Sequence, residues 1–274
     1  MAAARDILAG EAANRRPSPL LGFLRSPRSG VTLIIVLLIV WEISARSGIV
    51  LSDNWPPVST ILAALGGKLI HGGDLWPALG GTLYRAVSGL VIGTAAGIFL
   101  GVTMGMISLV RRTVEPLVEL LRPLPVPALI PPLVLFLGLE DRMKITLVAL
   151  TAVFPVLINT LQGVIALEPT YRSVAATFGV RWFRTTLLVV MPAMLPFIMA
   201  GIRTSLGLSL IVAVVAEMIA GSAGIGYYLM SMQYASRPVD MYGALFVLAF
   251  VGYMLNWIFL RIERRVLFWY TQSV

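Results

Sequence analysis

Arg85, Arg203 and Glu217 are the residues of this chain whose chemistry most needs explaining, because each lies in a long apolar stretch. A charge near the middle of a membrane helix costs about 2.5–3.5 kcal/mol on insertion scales, so each calls for a partner or water. Catalysis is not what these residues suggest. No serine–histidine or paired-carboxylate constellation is present, and no G-x-x-x-x-G-K-S/T loop occurs. Cysteine is absent, which excludes disulfides and thiolate metal sites, and the single histidine, His71, has no ligand set and reads as a polar loop residue. The chain is therefore not expected to be an enzyme, to hold a metal or to bind a cofactor of its own.

Spacing suggests where two of the charges meet. Gly89, Gly93, Gly97, Gly101 and Gly105 recur every fourth residue, with Arg85 one step before them. Such residues form one slowly winding smooth ridge on a helix, against which another backbone can approach closely. A second ridge, Gly201, Ser205, Ser209 and Ala213, ends in Glu217. If the two ridges pack with opposed chain directions, Arg85 lies near Glu217 toward the outer face; plain tight packing of either ridge is the simpler expectation. Arg203 sits two residues off the second ridge, about 200° around the helix. It is predicted to face another neighbour or a watery cavity.

The elements that must position these residues are membrane helices. Of the 274 residues, 58% are hydrophobic and 12% charged, with a mean hydropathy of +0.90, where soluble domains carry about 25% charge. The apolar residues gather into runs of about 20, the length that crosses a bilayer. Spans are placed at 31–45, 77–106, 123–139, 143–166, 190–220 and 241–262, giving an all-α integral membrane protein of about six transmembrane helices. Residues 1–28 are polar and arginine-rich, and read as a cytoplasmic N-terminal arm, with 29–274 as the membrane domain. The run "VTLIIVLLIVWEISA" resembles a signal-peptide core, but Glu42 and the lack of a clean cleavage site favour a retained anchor.

The net charge of +8 does not point to nucleic acid, because the basic residues track the ends of the apolar runs. One side collects Arg5, Arg15, Arg16, Arg25, Arg28, Arg111, Arg112, Arg122, Arg172, Arg181, Arg184, Arg261, Arg264 and Arg265. The other holds Arg46, Lys68, Arg142, Lys144 and Arg237. Positive charge stays inside, so both termini are expected in the cytoplasm. The third span opens "RPLPVPALIPP", and Pro123, Pro125, Pro127, Pro131 and Pro132 cannot all sit inside a regular helix. This stretch is either an interfacial loop or irregular backbone lining a pathway or gate.

Between the fourth and fifth spans lies "YRSVAATFGVRWFRTTLLVVMP". Pro169 suits the first position of a short helix and Gly179 the left-handed residue after its end. Tyr171, Val174, Ala175 and Phe178 then share one apolar face. A helix of about ten residues is not stable alone in water, so the face must dock on the membrane surface or on a partner protein.

This segment resembles the cytoplasmic loop of permease subunits of binding-protein-dependent ABC importers, Glu-Ala-Ala, three residues, Gly, nine residues, then Ile-x-Leu-Pro. Ser173, Val174 and Ala175 take the opening places, Gly179 the glycine, and Val189, Met191 and Pro192 the close; Ser173 replaces the family glutamate. The segments "LRPLPVPALIPPLVLFLG", "FPVLINTLQGV", "MPAMLPFIMAGIRTSLGLS" and "VVAEMIAGSAGIGYYL" extend the resemblance to the nitrate/sulfonate/taurine branch. It implies a type I ABC importer permease fold in the bacterial inner membrane. Implied too are a homodimer of permease subunits in lipid, an external substrate-binding protein, and two cytoplasmic ATPase subunits that hold ATP and Mg. The helix at 169–179 would be the coupling helix, contacting the ATPase through Tyr171, Ser173, Val174, Ala175, Phe178 and Gly179, with Pro192 closing the motif. Pro125, Pro127, Pro131, Arg203, Arg85 and Glu217 are the pathway or gating candidates. The cargo implied is a small anion: a sulfonate, taurine, nitrate or an aromatic carboxylate. A secondary transporter driven by an ion gradient is the alternative; it would favour acidic groups at mid-membrane, and here only Glu42 and Glu217 lie in spans, both toward the ends.

Overall fold

The structure, a computed structural model, describes residues 27–48, 52–71, 73–166 and 190–270. The N-terminal arm, the 169–179 segment and the side chain of His71 lie outside the described residues. All regular elements among the described residues are helical. In chain order they are α1 (Pro27–Arg46), α2 (Val58–His71), α3 (Leu75–Met106), α4 (Ser108–Leu121), a 3-10 turn (Val126–Leu129), α5 (Ile130–Leu137), α6 (Asp141–Ala166), α7 (Met191–Ala220), α8 (Ile225–Tyr234) and α9 (Pro238–Val266).

Four of these, α3, α6, α7 and α9, are long and apolar enough to cross a membrane, and a fifth span exists if α4 and the 126–137 segment are one broken crossing bent by 92°. About six regular spans were expected. The difference lies at two places, α1, which is not among these spans, and the proline run. Pro125 is extended (φ −67°, ψ 107°) before the 3-10 turn, while Pro127, Pro131 and Pro132 occupy first-turn positions of the 3-10 turn and α5. There the missing N–H has no helical acceptor to lose, so the sequence tolerates the prolines by breaking one crossing into short pieces. The expected first span falls on α1, a helix that is not among these spans; its apolar side chains are exposed, Val31, Leu33 and Ile34 among them.

The chain divides into two compact units after Ala63. Within the first, Glu42 accepts from Arg46 Nε at 2.6 Å and from the Ser59 backbone N–H at 3.0 Å. Trp41 stacks on Trp55 at 4.8 Å, and Trp55 Nε1 donates to Ser44 Oγ at 3.1 Å. These contacts tie the end of α1 to the start of α2.

In the second unit α6 is the central helix, with α3 and α7 against it. A methyl group added at Gly97 would sit 2.8 Å from the Val153 carbonyl, at Gly101 2.7 Å from Thr160 Cβ, and at Gly105 2.6 Å from Val164 Cβ. The glycine ridge of α3 is thus pressed onto α6. The small ridge of α7 meets the same helix: a methyl at Gly201 would lie 2.9 Å from Val156 Cα, and Ser205 Oγ donates to the Ala152 carbonyl at 3.0 Å. The expectation that the two ridges pack on each other is therefore corrected. Each ridge is smooth enough to take a backbone, and α6, with Ala149, Ala152 and Val156 buried, supplies that backbone to both. Ala86, Met143, Leu147, Val148, Val212, Ala213 and Ala216 close the core where the three helices meet.

Candidate functional site

Because α3 and α6 run in the same direction and α7 against both, the first half of α3, the start of α6 and the end of α7 lie at one end of this bundle. Arg85 lies there on the buried face of α3, three residues after Thr82 and hence on the same side of the helix. Its Nη1 is 2.6 Å from Glu217 Oε1, and its Nε is 2.6 Å from Asp141 Oδ1. The Arg85–Glu217 juxtaposition expected from the sequence is present although the ridges leading to it pack elsewhere. The two side chains meet directly, and Arg85 also reaches Asp141, the first residue of α6.

Glu217 is wholly buried, and its carboxylate is saturated. Besides Arg85 it accepts from Thr82 Oγ1 at 2.7 Å and from the Gly226 N–H at 3.0 Å. Arg85 Nη1 also donates to the Ala223 carbonyl at 3.2 Å, and the Ile225 N–H donates to Thr82 Oγ1 at 2.9 Å. These bonds fasten residues 221–226, the turn from α7 into α8, to the end of α3. Gly224 has φ +107°, and any side chain there would run into the Glu217 carboxyl. The group is a closed ionic knot. With every oxygen of Glu217 engaged, it has no free base or nucleophile, and its chemistry is to hold a loop.

Outside the knot, α7 has an exposed face that begins with two polar residues. Arg203, Thr204, Gly207, Leu208 and Ile211 lie on an exposed face of that helix. Beside it is a cavity of about 450 Å³ lined by Arg122, Pro127, Thr151, Asn159, Thr204 and Leu208, among others. Of the three proline candidates Pro127 lines this cavity, while Pro125 and Pro131 are exposed beside it. Arg203 lies next to it in sequence, on the face away from the small ridge, as its 200° offset predicts. A second cavity, about 440 Å³, is bounded by Asp74, Gly81, Arg85, Ser222, Gly224 and Tyr227. Near it Lys68 Nζ pairs with Asp240 Oδ1 at 2.6 Å and donates to Tyr228 Oη at 2.9 Å. Partial burial opposes the charge of Lys68, but the Asp240 carboxylate and the Tyr228 hydroxyl outweigh it and hold its pKa above the ordinary lysine value. Pro192 sits in the first turn of α7, where proline is tolerated.

Thr82, Asp141 and the backbone of 223–226 were not singled out from the sequence. Thr82 was legible as the residue one turn before Arg85. Asp141 was not, because it belongs to another helix and nothing local points it at Arg85.

The match to known proteins begins midway along α3 and takes in α6 and α7. Residues 93–268 match the family described as the binding-protein-dependent transport system inner membrane component. The chain belongs to this permease family. A permease protein of Bacillus subtilis assigned by name to aliphatic sulfonate transport, SsuC, is 31% identical over 240 residues, covering 88% of this chain and 87% of the relative. The taurine transport system permease protein TauC of Escherichia coli is 29% identical over 242 residues, with 86% and 88% covered. Among solved structures, the inward-facing MetNI methionine ABC transporter superposes with a TM-score of 0.58 at 19% identity, over 70% of this chain and 94% of that one. That likeness is one of fold, and it fixes the architecture of this permease as that of a type I ABC importer subunit.

Proposed function

We propose that this permease forms half of a membrane pathway for a small organic or inorganic anion, of the sulfonate, taurine or nitrate class, in a binding-protein-dependent ABC importer of a bacterial inner membrane. The observation that carries the reading is the cavity of about 450 Å³ beside the open face of α7, with Arg122, Thr204 and Asn159 in its lining and Arg203 on the same exposed face as Thr204. An ion crossing a bilayer needs polar groups facing a watery space, and such groups on a helix otherwise pressed into the core mark a path. The names of the relatives, sulfonate and taurine permeases, support the cargo class.

Among the described residues that face of α7 is exposed, which supports a working unit of two identical chains with their α7 faces toward the path. By the distribution of arginine and lysine, the end bearing the ionic knot faces outward, toward the external binding protein, and both termini face the cytoplasm. ATP and Mg belong to two partner ATPase subunits, which grip the segment 169–179 through Tyr171, Val174, Ala175 and Phe178. A secondary transporter is disfavoured because the buried acid, Glu217, is fully engaged and has no free oxygen to carry an ion.

The test is reconstitution of the chain with its ATPase and binding protein in vesicles, followed by uptake of labelled ethanesulfonate, taurine and nitrate. Uptake that requires ATP and the binding protein is expected. Uptake driven by an ion gradient without ATP, or selective uptake of a cation, overturns the reading.

A further inference from the structure

The bundle end that holds the ionic knot contains one charge the knot does not use. Lys144, in the first turn of α6, is only 1% exposed. It nevertheless lines a cavity of about 410 Å³, together with Arg85, Glu140, Asp141, Arg142 and Ser222. Among the described residues it makes no hydrogen bond or ion pair. Asp141, one turn earlier, is turned to Arg85 Nε, and Glu217 is saturated by Arg85, Thr82 and Gly226.

A largely buried lysine whose ammonium has no counter-ion is unfavourable, because the desolvation of such an ion outweighs what distant charges return. The cavity beside it is where a counter-ion would fit. Two further features favour a negative one. The cavity includes Asp141, the first residue of α6, so the N–H groups of that first turn and the positive end of the helix lie at its rim. With Arg85 and Lys144, Arg142 gives the lining three cations against the two carboxylates Glu140 and Asp141, and Asp141 already shares its charge with Arg85. Leu139 supplies an apolar wall, and the volume falls in the ~300–1,000 Å³ range of small-molecule sites.

We infer that this cavity binds one small oxyanion, a sulfonate, nitrate or carboxylate, with Lys144 as its charge partner and the start of α6 as its second contact. The inference rests on the anion reading proposed above and gives the cargo a defined stopping place at the bundle end beside Arg85. The site differs from the α7 cavity in its elements and its cation.

The test uses the full chain in lipid nanodiscs. Sodium methanesulfonate is titrated at constant ionic strength, with sodium chloride as the balance salt, and binding is read by calorimetry and by the rise in unfolding temperature. Saturable binding to the wild type is expected. Lys144→Met keeps the length of the side chain and removes the charge, so it should fold and bind methanesulfonate about tenfold more weakly or worse, the loss of one charge-assisted bond. Arg142→Gln should weaken binding by a smaller factor. An unfolding temperature of Lys144→Met at or above wild type in chloride alone establishes that the variant folds; if that temperature falls, Arg142→Gln carries the test. Wild-type affinity in Lys144→Met, or in Arg142→Gln where it stands in, or no saturable binding by the wild type, overturns the site. ATP-dependent ethanesulfonate uptake by the wild-type complex is measured in parallel. Uptake without Lys144-dependent binding refutes the site and leaves the transport function standing, whereas uptake of no anion refutes the function on which the site rests.

Discussion

Removing the charge of Glu217 isolates what the ionic knot contributes. In Glu217→Gln the side chain keeps its shape, but one oxygen becomes an NH2 group. Both oxygens now accept, Oε1 from Arg85 and Oε2 from Thr82 and the Gly226 N–H. Either orientation of the amide therefore faces a donor with a donor. Arg85 is left with Asp141, whose side chain is 47% exposed against 0% for Glu217. Breaking one side of a buried ion pair in this way costs about 3–5 kcal/mol. For a chain of this size that is a fall in unfolding temperature of about 6–20 °C. Arg85→Gln should cost a similar amount, since it strands a fully buried carboxylate. The double variant should be less damaged than the sum of the singles, with a coupling of about 2–3 kcal/mol, because it leaves neither charge unpaired. The assay is thermal unfolding of the two single variants, the double variant and the wild type in one detergent. Single variants within 1 kcal/mol of wild type, or a strictly additive double variant, would refute the view that these two charges and the 221–226 turn form one cooperative unit.

Gly97→Val should destabilise the α3–α6 contact by about 1–3 kcal/mol or more, since even its Cβ would lie 2.8 Å from the Val153 carbonyl; an unchanged unfolding temperature would contradict the close approach. If the proposed coupling contact holds, Ala175→Arg should weaken co-purification of the ATPase and ATP-dependent uptake while membrane insertion survives, because it would bring a bulky charge into that contact; wild-type behaviour in both would reduce that segment to a membrane-surface element. Lys68→Met should lose stability relative to wild type at neutral pH. The raised pKa of Lys68 means its contribution is fully present below the ordinary lysine value of 10.5 and fades as pH climbs through the raised value. The gap between the two proteins in unfolding temperature should therefore narrow above about pH 10.5; a gap that stays constant to the highest accessible pH would mean the Asp240 and Tyr228 contacts contribute nothing.

Sequence by itself determined the membrane class, the long helices and the family. Runs of about 20 apolar residues admit only one backbone solution in a bilayer, since every N–H and C=O must be satisfied within the segment. It also determined that α3 and α7 each carry a smooth stripe, because a period of four on a helix is a matter of local geometry. What it could not determine was which helix each stripe meets. Smooth ridges are mutually interchangeable as surfaces, and the choice of α6 for both depended on Ala149, Ala152 and Val156 presenting a backbone at the right depth. The ionic knot shows the same division. Arg85 and Glu217 were legible as charges that needed partners, whereas Asp141, Thr82 and the 223–226 backbone joined them only through tertiary packing. Lys144 was similarly legible as a charge near a helix start. Its burial without a partner was not, because burial and pairing are decided by the helices that close around a residue.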